Sequence, residues 1–189
     1  MAGRMIFRYI LLIIFLVINL NFADSGKGEK AGDLELGSEA PAFSLPDLDN
    51  NYIFLRDLCG EKLRKPWINK VKQVVVLSFF ATWCVPCNKE IPHLSELEKL
   101  FAEKPVKVFL VDVGEDREKV RLFLGKNKIT LPVLFDQYQV VSEKYGANAL
   151  PRLVVIDKEG NVRKYKKGFE DPSVFMSEMT NLLNSLCEE

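Results

Sequence analysis

The chain has 189 residues, 48% of them hydrophobic, with 26 basic against 26 acidic side chains, four cysteines and one histidine. That length suits one domain with a short leader, and the apolar content is ample for a core. Balanced charge leaves no electrostatic footprint for nucleic acid, so no nucleic-acid partner is expected.

Arg4 and Arg8 precede an apolar run from Tyr9 to Leu20. A positive flank and then a short apolar run read as a secretory signal. The run is short for a spanning helix, which needs about 20 residues. Ala23-Asp24-Ser25 offers small residues for cleavage, whereas Met5-Ile6-Phe7 extends the apolar stretch and favours an uncleaved anchor. Residues 1–23 are therefore expected to be a signal peptide or an N-terminal membrane anchor. No cysteine follows the run to carry a lipid. The leader holds two arginines and no acid, which leaves 24 basic against 26 acidic residues, a formal −2. Under either reading the domain is exported, to the periplasm or the extracytoplasmic face, where disulfide chemistry operates. Residues 24–37, rich in Gly, Lys, Glu and Asp, read as a flexible linker, and 38–189 as the folded domain.

Phe43–Leu45 and Tyr52–Leu55 read as short strands around the turn-rich Asp47-Leu48-Asp49-Asn50-Asn51. Asp57–Lys72 is polar and basic and carries Pro66 and Trp67. Val74–Phe80 is an apolar run suited to a strand buried on both faces. The helix after Cys87 carries Ile91, Leu94, Leu97 and Phe101 on one stripe, with Pro92 inside it. Val106–Val113 is a second core strand, and Glu115–Lys126 a helix with Val120, Phe123 and Leu124 apolar. Leu131–Phe135 is a short strand, and Gln137–Tyr145 a short helix ending at Gly146. Leu153–Ile156 and Val162–Tyr165 form a hairpin. Pro172–Cys187 closes the chain as a helix with Phe175, Met179, Leu182, Leu183 and Leu186 inward. Strands alternating with helices, then a hairpin, give an α/β domain with a mixed sheet and helices on both faces.

The chemistry concentrates at Trp83-Cys84-Val85-Pro86-Cys87, between the apolar strand and a helix start. Positions i and i+3 on a first helical turn share a face, so the two sulfurs can meet. Cys84 lies where free N–H groups and the helix dipole favour an anion, which makes it the nucleophilic thiolate. Cys87, one turn inside, is the resolving thiol, and Pro86 suits an early helical position. Two other readings compete. Half a zinc site needs two more ligands, and only His93, Cys59 and Cys187 remain. A structural staple closing so short a loop stabilises little. Glu90 lies one turn beyond Cys87 on the same face; partly buried, its raised pKa would let it accept a proton. An ordinary surface acid is the competing reading. His93, with no partner acid at fixed spacing, reads as structural or solvent-facing. Cys59 and Cys187 either pair or stay free, because connectivity cannot be read from spacing.

The segment Val76-Leu77-Ser78-Phe79-Phe80-Ala81-Thr82-Trp83-Cys84-Val85-Pro86-Cys87 resembles the active-site segment of the thioredoxin superfamily. Ala40-Pro41-Ala42-Phe43-Ser44-Leu45-Pro46-Asp47-Leu48 resembles the opening of the TlpA/ResA-like and peroxiredoxin-like branches, and Cys87-Asn88-Lys89-Glu90-Ile91-Pro92 resembles the TlpA/ResA helix start. Tyr145–Gly160 resembles the stretch with the family's cis-proline, strand and turn. The likeness covers roughly residues 38–187. It implies a thioredoxin-like fold with an extra N-terminal β-hairpin, and an extracytoplasmic thiol:disulfide oxidoreductase acting as a monomer that needs no cofactor and no metal. It also implies a functional glutamate at Glu90 and a cis peptide at Leu150-Pro151 opposite the cysteines, the competing reading being a trans proline that starts a strand. Trp83 and Leu150 are expected to flank a substrate groove, with plain packing the competing role for Trp83. Thioredoxin has a buried aspartate where this chain has Ser78, which leaves Glu90 as the acid near the site. The family often has Thr where Leu150 stands. Asp57–Lys72 is longer than the family's pattern at that point. The implied partners are a protein disulfide substrate, apocytochrome c or another exported cysteine pair, and a membrane thiol-disulfide electron donor. Val85 and Pro86 offer the thiolate no charge and no donor, so a reducing couple is expected. Two rivals stand beside this reading. A peroxiredoxin-like peroxidase wants Thr three residues before its cysteine, where Ala81 stands. A copper chaperone of similar fold wants wider cysteine spacing and a distant His, and His93 is too near.

Overall fold

The computed structural model describes residues 34–65 and 71–189. The expected leader, most of the expected linker, and Pro66 and Trp67 lie outside the described residues. Leu34–Gly37, the end of that expected linker, lie within them: Gly37 N–H donates to the Val162 carbonyl at 2.7 Å, and Leu34 packs against a core cluster.

Ser44–Pro46 (β1) and Tyr52–Phe54 (β2) pair antiparallel as a separate two-stranded sheet. Their turn is fixed by Asp47, whose Oδ1 accepts the N–H groups of Asp49 at 2.8 Å and Asn51 at 2.9 Å, a side-chain mimic of a backbone turn. A single 3₁₀ turn, Leu55–Asp57, follows. Asp57 is held by both ends of the Arg64 guanidinium at 2.7 Å.

Val74–Phe80 (β3) has every residue buried. It leads into Val85–Leu100 (α1), which returns the chain to Val106–Val113 (β4). Arg117–Asn127 (α2) then connects β4 to Val133–Asp136 (β5). Both crossovers join parallel neighbours, which require a connection of this length. Val140–Lys144 (α3) is shorter than the expected Gln137–Tyr145, because Gln139 is left-handed (φ 58°). Asp136 Oδ2 takes the Ser142 N–H and hydroxyl instead, at 2.6 and 2.8 Å. Arg152–Ile156 (β6) and Val162–Lys167 (β7) form the antiparallel hairpin, and Pro172–Glu188 (α4) ends the chain, N-capped by Asp171. The five-stranded sheet runs β5-β4-β3-β6-β7, with β3 parallel to β4 and antiparallel to β6. Among the described residues, no helix is long and apolar enough to cross a membrane.

The period-two alternation of β3 divides the core. Val74, Val76 and Phe80 meet Leu94 and Leu97 of α1, Val120 of α2 and Phe175 of α4. Val75, Leu77 and Phe79 point the other way, to Tyr145, Phe43 and Leu45. Tyr145 is sealed there by its hydroxyl, which donates to the Pro41 carbonyl at 2.7 Å.

The same division separates the two remaining cysteines. Cys59 belongs to the layer of the N-terminal hairpin, whereas Cys187 packs against the layer of α1 and α4. Both are free thiols, and burial pushes the Cys59 thiol up to about 12. Oxidised protein denatured without reductant should therefore titrate two thiols by Ellman's reagent; a titre near zero would show that Cys59 and Cys187 bridge.

Candidate active site

β3 delivers the chain to the N-terminus of α1, and Cys84 is the N-cap, in extended conformation (φ −77°, ψ 103°). Its Sγ accepts the Cys87 N–H at 3.2 Å. This is the contact that would stabilise a thiolate, because the first-turn N–H groups have no intrahelical acceptors. Pro86 occupies the first turn, where its missing N–H costs nothing. Cys84 and Cys87 are joined as a disulfide with Cα atoms 5.3 Å apart. Both are buried, Cys84 at 3% exposure and Cys87 at 0%, so the reachable sulfur is that of Cys84. Trp83 and Val85 beside it are exposed apolar surface.

Glu90 is fully buried between α1 and β3. Its Oε2 accepts the Ser78 hydroxyl at 2.6 Å, and its Oε1 has no partner among the described residues. Burial pushes the carboxyl up to about 7, although the Ser78 hydroxyl and Lys166 pull it down. Ser78, on β3, is thus the hydrogen-bond partner of the acid that α1 brings against it. A carboxyl that changes charge near neutrality, one turn from the inner cysteine, can take and return a proton.

Leu150 lines the same cavity as Trp83, and the Leu150-Pro151 peptide is cis. Directly after it, Arg152 is fully buried. Its Nη2 donates to the Gly146 carbonyl at 2.7 Å, and its guanidinium lies 4.6 Å from the centre of the Tyr165 ring. The Tyr165 hydroxyl donates to the Tyr145 carbonyl at 3.1 Å. A buried arginine and a half-buried tyrosine therefore hold the loop that precedes the cis bond. Between this loop and the cysteine turn lies a cavity of about 570 Å³, lined by Trp83, Glu115, Lys119, Gln139, Asn148 and Leu150 among others. Both residues expected to flank the groove, Trp83 and Leu150, are on its lining.

His93 stacks on Phe169, ring centres 5.6 Å apart, and its Nδ1 lies 3.9 Å from Glu96; it is a packing residue on α1. Three polar residues escaped the sequence reading. Glu115 binds Thr82, Asp112 lies buried behind Glu115, and Arg152 lies behind the cis-proline. The signal available was an acid inside the apolar run of β4 and an arginine opening the equally apolar β6, since buried charge is costly unless it is used or paired.

Glu90 makes stability depend on pH with a definite sign. Its folded pKa of about 7 exceeds the ordinary carboxylate value of 4.5. The folded state therefore holds the proton where the unfolded chain has lost it, and stability falls as pH rises from about 4.5 to about 7. The loss is up to about 3 kcal/mol from this group. Asp112, pushed up to about 7 chiefly by burial, adds a loss of the same sign. Urea midpoints of the oxidised protein should fall from pH 5 to pH 8, and Glu90→Gln should flatten that fall. An equally steep fall in the Glu90→Gln protein would show that the carboxyl is ionised throughout.

Comparison with known proteins agrees with this geometry. A model of the Redoxin family matches residues 35–183. Thiol-disulfide oxidoreductase ResA of Bacillus anthracis is 34% identical over 166 residues, covering 85% of this chain and 86% of its own. The ResA protein of Bacillus subtilis is 34% identical over 132 residues, covering 70% and 67%. Among solved structures, a Chlorobium tepidum protein assigned as the thiol:disulfide interchange protein DsbE superposes with a TM-score of 0.69. It is 26% identical and covers 82% of this chain and 99% of that one. With a matching family model over most of its length, thioredoxin-fold neighbours and a bonded Cys-x-x-Cys pair, the chain belongs to the Redoxin family and is a ResA/DsbE-like thiol-disulfide oxidoreductase.

Proposed function

We propose that the protein is an exported reductant of protein disulfides, with Cys84 as nucleophile, Cys87 as resolving thiol and Glu90 as the proton acceptor of Cys87. The observation that carries this reading is the buried Glu90 carboxyl, one turn behind a disulfide whose outer sulfur caps a helix. In the reduced protein the Cys84 thiolate attacks one sulfur of a substrate disulfide. An S–S bond forms between protein and substrate, and the other substrate sulfur leaves as a thiolate that takes a proton from water. Cys87 then passes its proton to Glu90 and attacks the Cys84 sulfur. The mixed disulfide breaks, the second substrate thiolate is released, and the Cys84–Cys87 bond is restored. Two electrons have moved from the dithiol to the substrate, and Glu90 returns its proton to solvent. A membrane thiol-disulfide donor resets the couple.

Pro151 in cis leaves the backbone before it free to pair with an extended substrate segment, and the cavity bounded by Trp83 and Leu150 is where that segment would lie. Export rests on the charged and apolar pattern of residues 1–23, read as signal peptide or anchor, with the stretch from 24 to 33 as tether and the remainder, Leu34–Gly37 included, as the working domain, a monomer. An apocytochrome c, with its pair of closely spaced cysteines, is the substrate that resemblance to ResA favours.

Insulin reduction tests the direction. Cys84→Ser should abolish it, and Cys87→Ser should leave a reactive Cys84 that traps substrate as a stable mixed disulfide. Iodoacetamide labelling that prefers Cys87 in the reduced wild type would reverse the two roles. Glu90→Gln should slow turnover by about 10²–10⁴-fold, the usual worth of a general acid–base; an unchanged pH–rate profile would remove Glu90 from the mechanism. The couple itself should equilibrate near the thioredoxin value of about −270 mV. A potential near the DsbA value of about −120 mV would make the protein an oxidant instead.

A further inference from the structure

The turn Ala81–Trp83 carries Cys84, and its middle residue is anchored from the neighbouring strand. The Thr82 N–H donates to Glu115 Oε2, and the Thr82 hydroxyl donates to Glu115 Oε1 at 2.8 Å. The Thr82 carbonyl accepts from Asn88 Nδ2 of α1 at 3.4 Å. Glu115, just beyond β4, is held in turn: Lys119 Nζ donates to its Oε1 at 2.5 Å, and its own N–H donates to Asp112 Oδ2 at 3.1 Å. Its side chain is 7% exposed, whereas that of Lys119 is 55% exposed.

A carboxylate so enclosed would ordinarily be driven towards neutrality. Burial does push Glu115 up, but the bonds from Lys119 and Thr82 outweigh it and hold the group below the usual carboxylate range. Asp112 beside it goes the other way, raised first by burial and further by Glu115 and Asp136. The two neighbouring carboxyls are thus driven apart, Glu115 towards the charged form and Asp112 towards the protonated one. Other charged groups on the surrounding elements include Lys89 and Glu90 on α1, Asp116, Arg117 and Glu118 at the start of α2, Asp136 on β5 and Lys166 on β7.

We propose that Glu115 is a positioning residue for the Cys84–Cys87 couple: through Thr82 it fixes the turn that presents Cys84, and its charge, tempered by Lys119, sets the field in which the Cys84 thiol ionises. This rests on Cys84 being the nucleophile. A negative charge bonded to Thr82, two residues before Cys84 in the chain, disfavours the thiolate, and the adjacent ammonium offsets part of that effect. The two partners therefore act on Cys84 with opposite sign, which a merely structural pin would not do.

The test measures alkylation of Cys84 by iodoacetamide in the full reduced chain, peptide by peptide, across pH. Glu115→Gln keeps an acceptor for the Thr82 N–H and removes the charge. It should raise the Cys84 rate, below its thiol pKa, by about twofold to fivefold, the scale of a partly screened charge. Lys119→Met, on an exposed side chain, should lower that rate by a similar factor. Thr82→Val should lower kcat/KM for insulin reduction, and Thr82→Ser should restore it. Shifts of the same sign in the Glu115 and Lys119 variants, no shift in either, or no rescue by serine would overturn the proposal. Preferential labelling of Cys87 in the wild type would instead overturn the assignment of the nucleophile, and the proposal with it.

Discussion

β3 is buried on both faces and hydrogen-bonded along both edges, in register with β4 on one side and β6 on the other. Neither its rotation nor its end point is free: a slip of one residue would turn every side chain to the wrong layer. The C-terminal end of this strand fixes where α1 begins, and hence that Cys84 is the cap and Cys87 the third helical residue. It also fixes that Ser78, two residues before the end, faces α1 and meets Glu90. The redox pair and its buried acid are thus consequences of one strand's register.

Around that strand the structure sorts carboxyl groups by environment. Glu90 has one hydroxyl partner and an unpartnered oxygen, so burial dominates and its proton is held to about 7. Glu115 is less deeply buried and receives three hydrogen bonds, one from an ammonium, which hold it below the usual carboxylate range. The difference lies both in burial and in what each carboxylate is given in exchange for water. The result is an uncharged or readily charged acid behind the inner sulfur and a fixed charge beside the loop of the outer one.

The other wall is built by the opposite device, a buried cation. Arg152 spends one nitrogen on the Gly146 carbonyl and its face on Tyr165, while Nε and Nη1 find no partner among the described residues. Stacking on an aromatic ring is a mode of burial open to a guanidinium and not to an ammonium. The loop of the cis-proline is therefore held from beneath by packing and a carbonyl bond, leaving its upper edge to the groove. At the sheet's margins, β5 is short, and β7 carries Arg163, Lys164, Lys166 and Lys167, charges that discourage pairing with another chain's edge.

Much of this was legible in the residues themselves. The apolar run Val74–Phe80 suited a strand covered on both faces, and the alternation of strand and helix after it, closed by a hairpin, pointed to a mixed sheet. The spacing of Cys84 and Cys87 dictated that their sulfurs could meet, because periodicity is a local property of the backbone. Likeness to a known family supplied the cis peptide at Leu150-Pro151 and drew attention to Glu90. Tertiary structure decided the rest. Gln139 took a left-handed conformation and shortened α3, because Asp136, from β5, captured Ser142. Cys59 and Cys187 went to opposite layers of the core. Glu115, an ordinary surface acid by its sequence context, became the anchor of Thr82, 33 residues away. No local pattern encodes such a contact; it exists only because β3 and β4 pair in one register and end side by side.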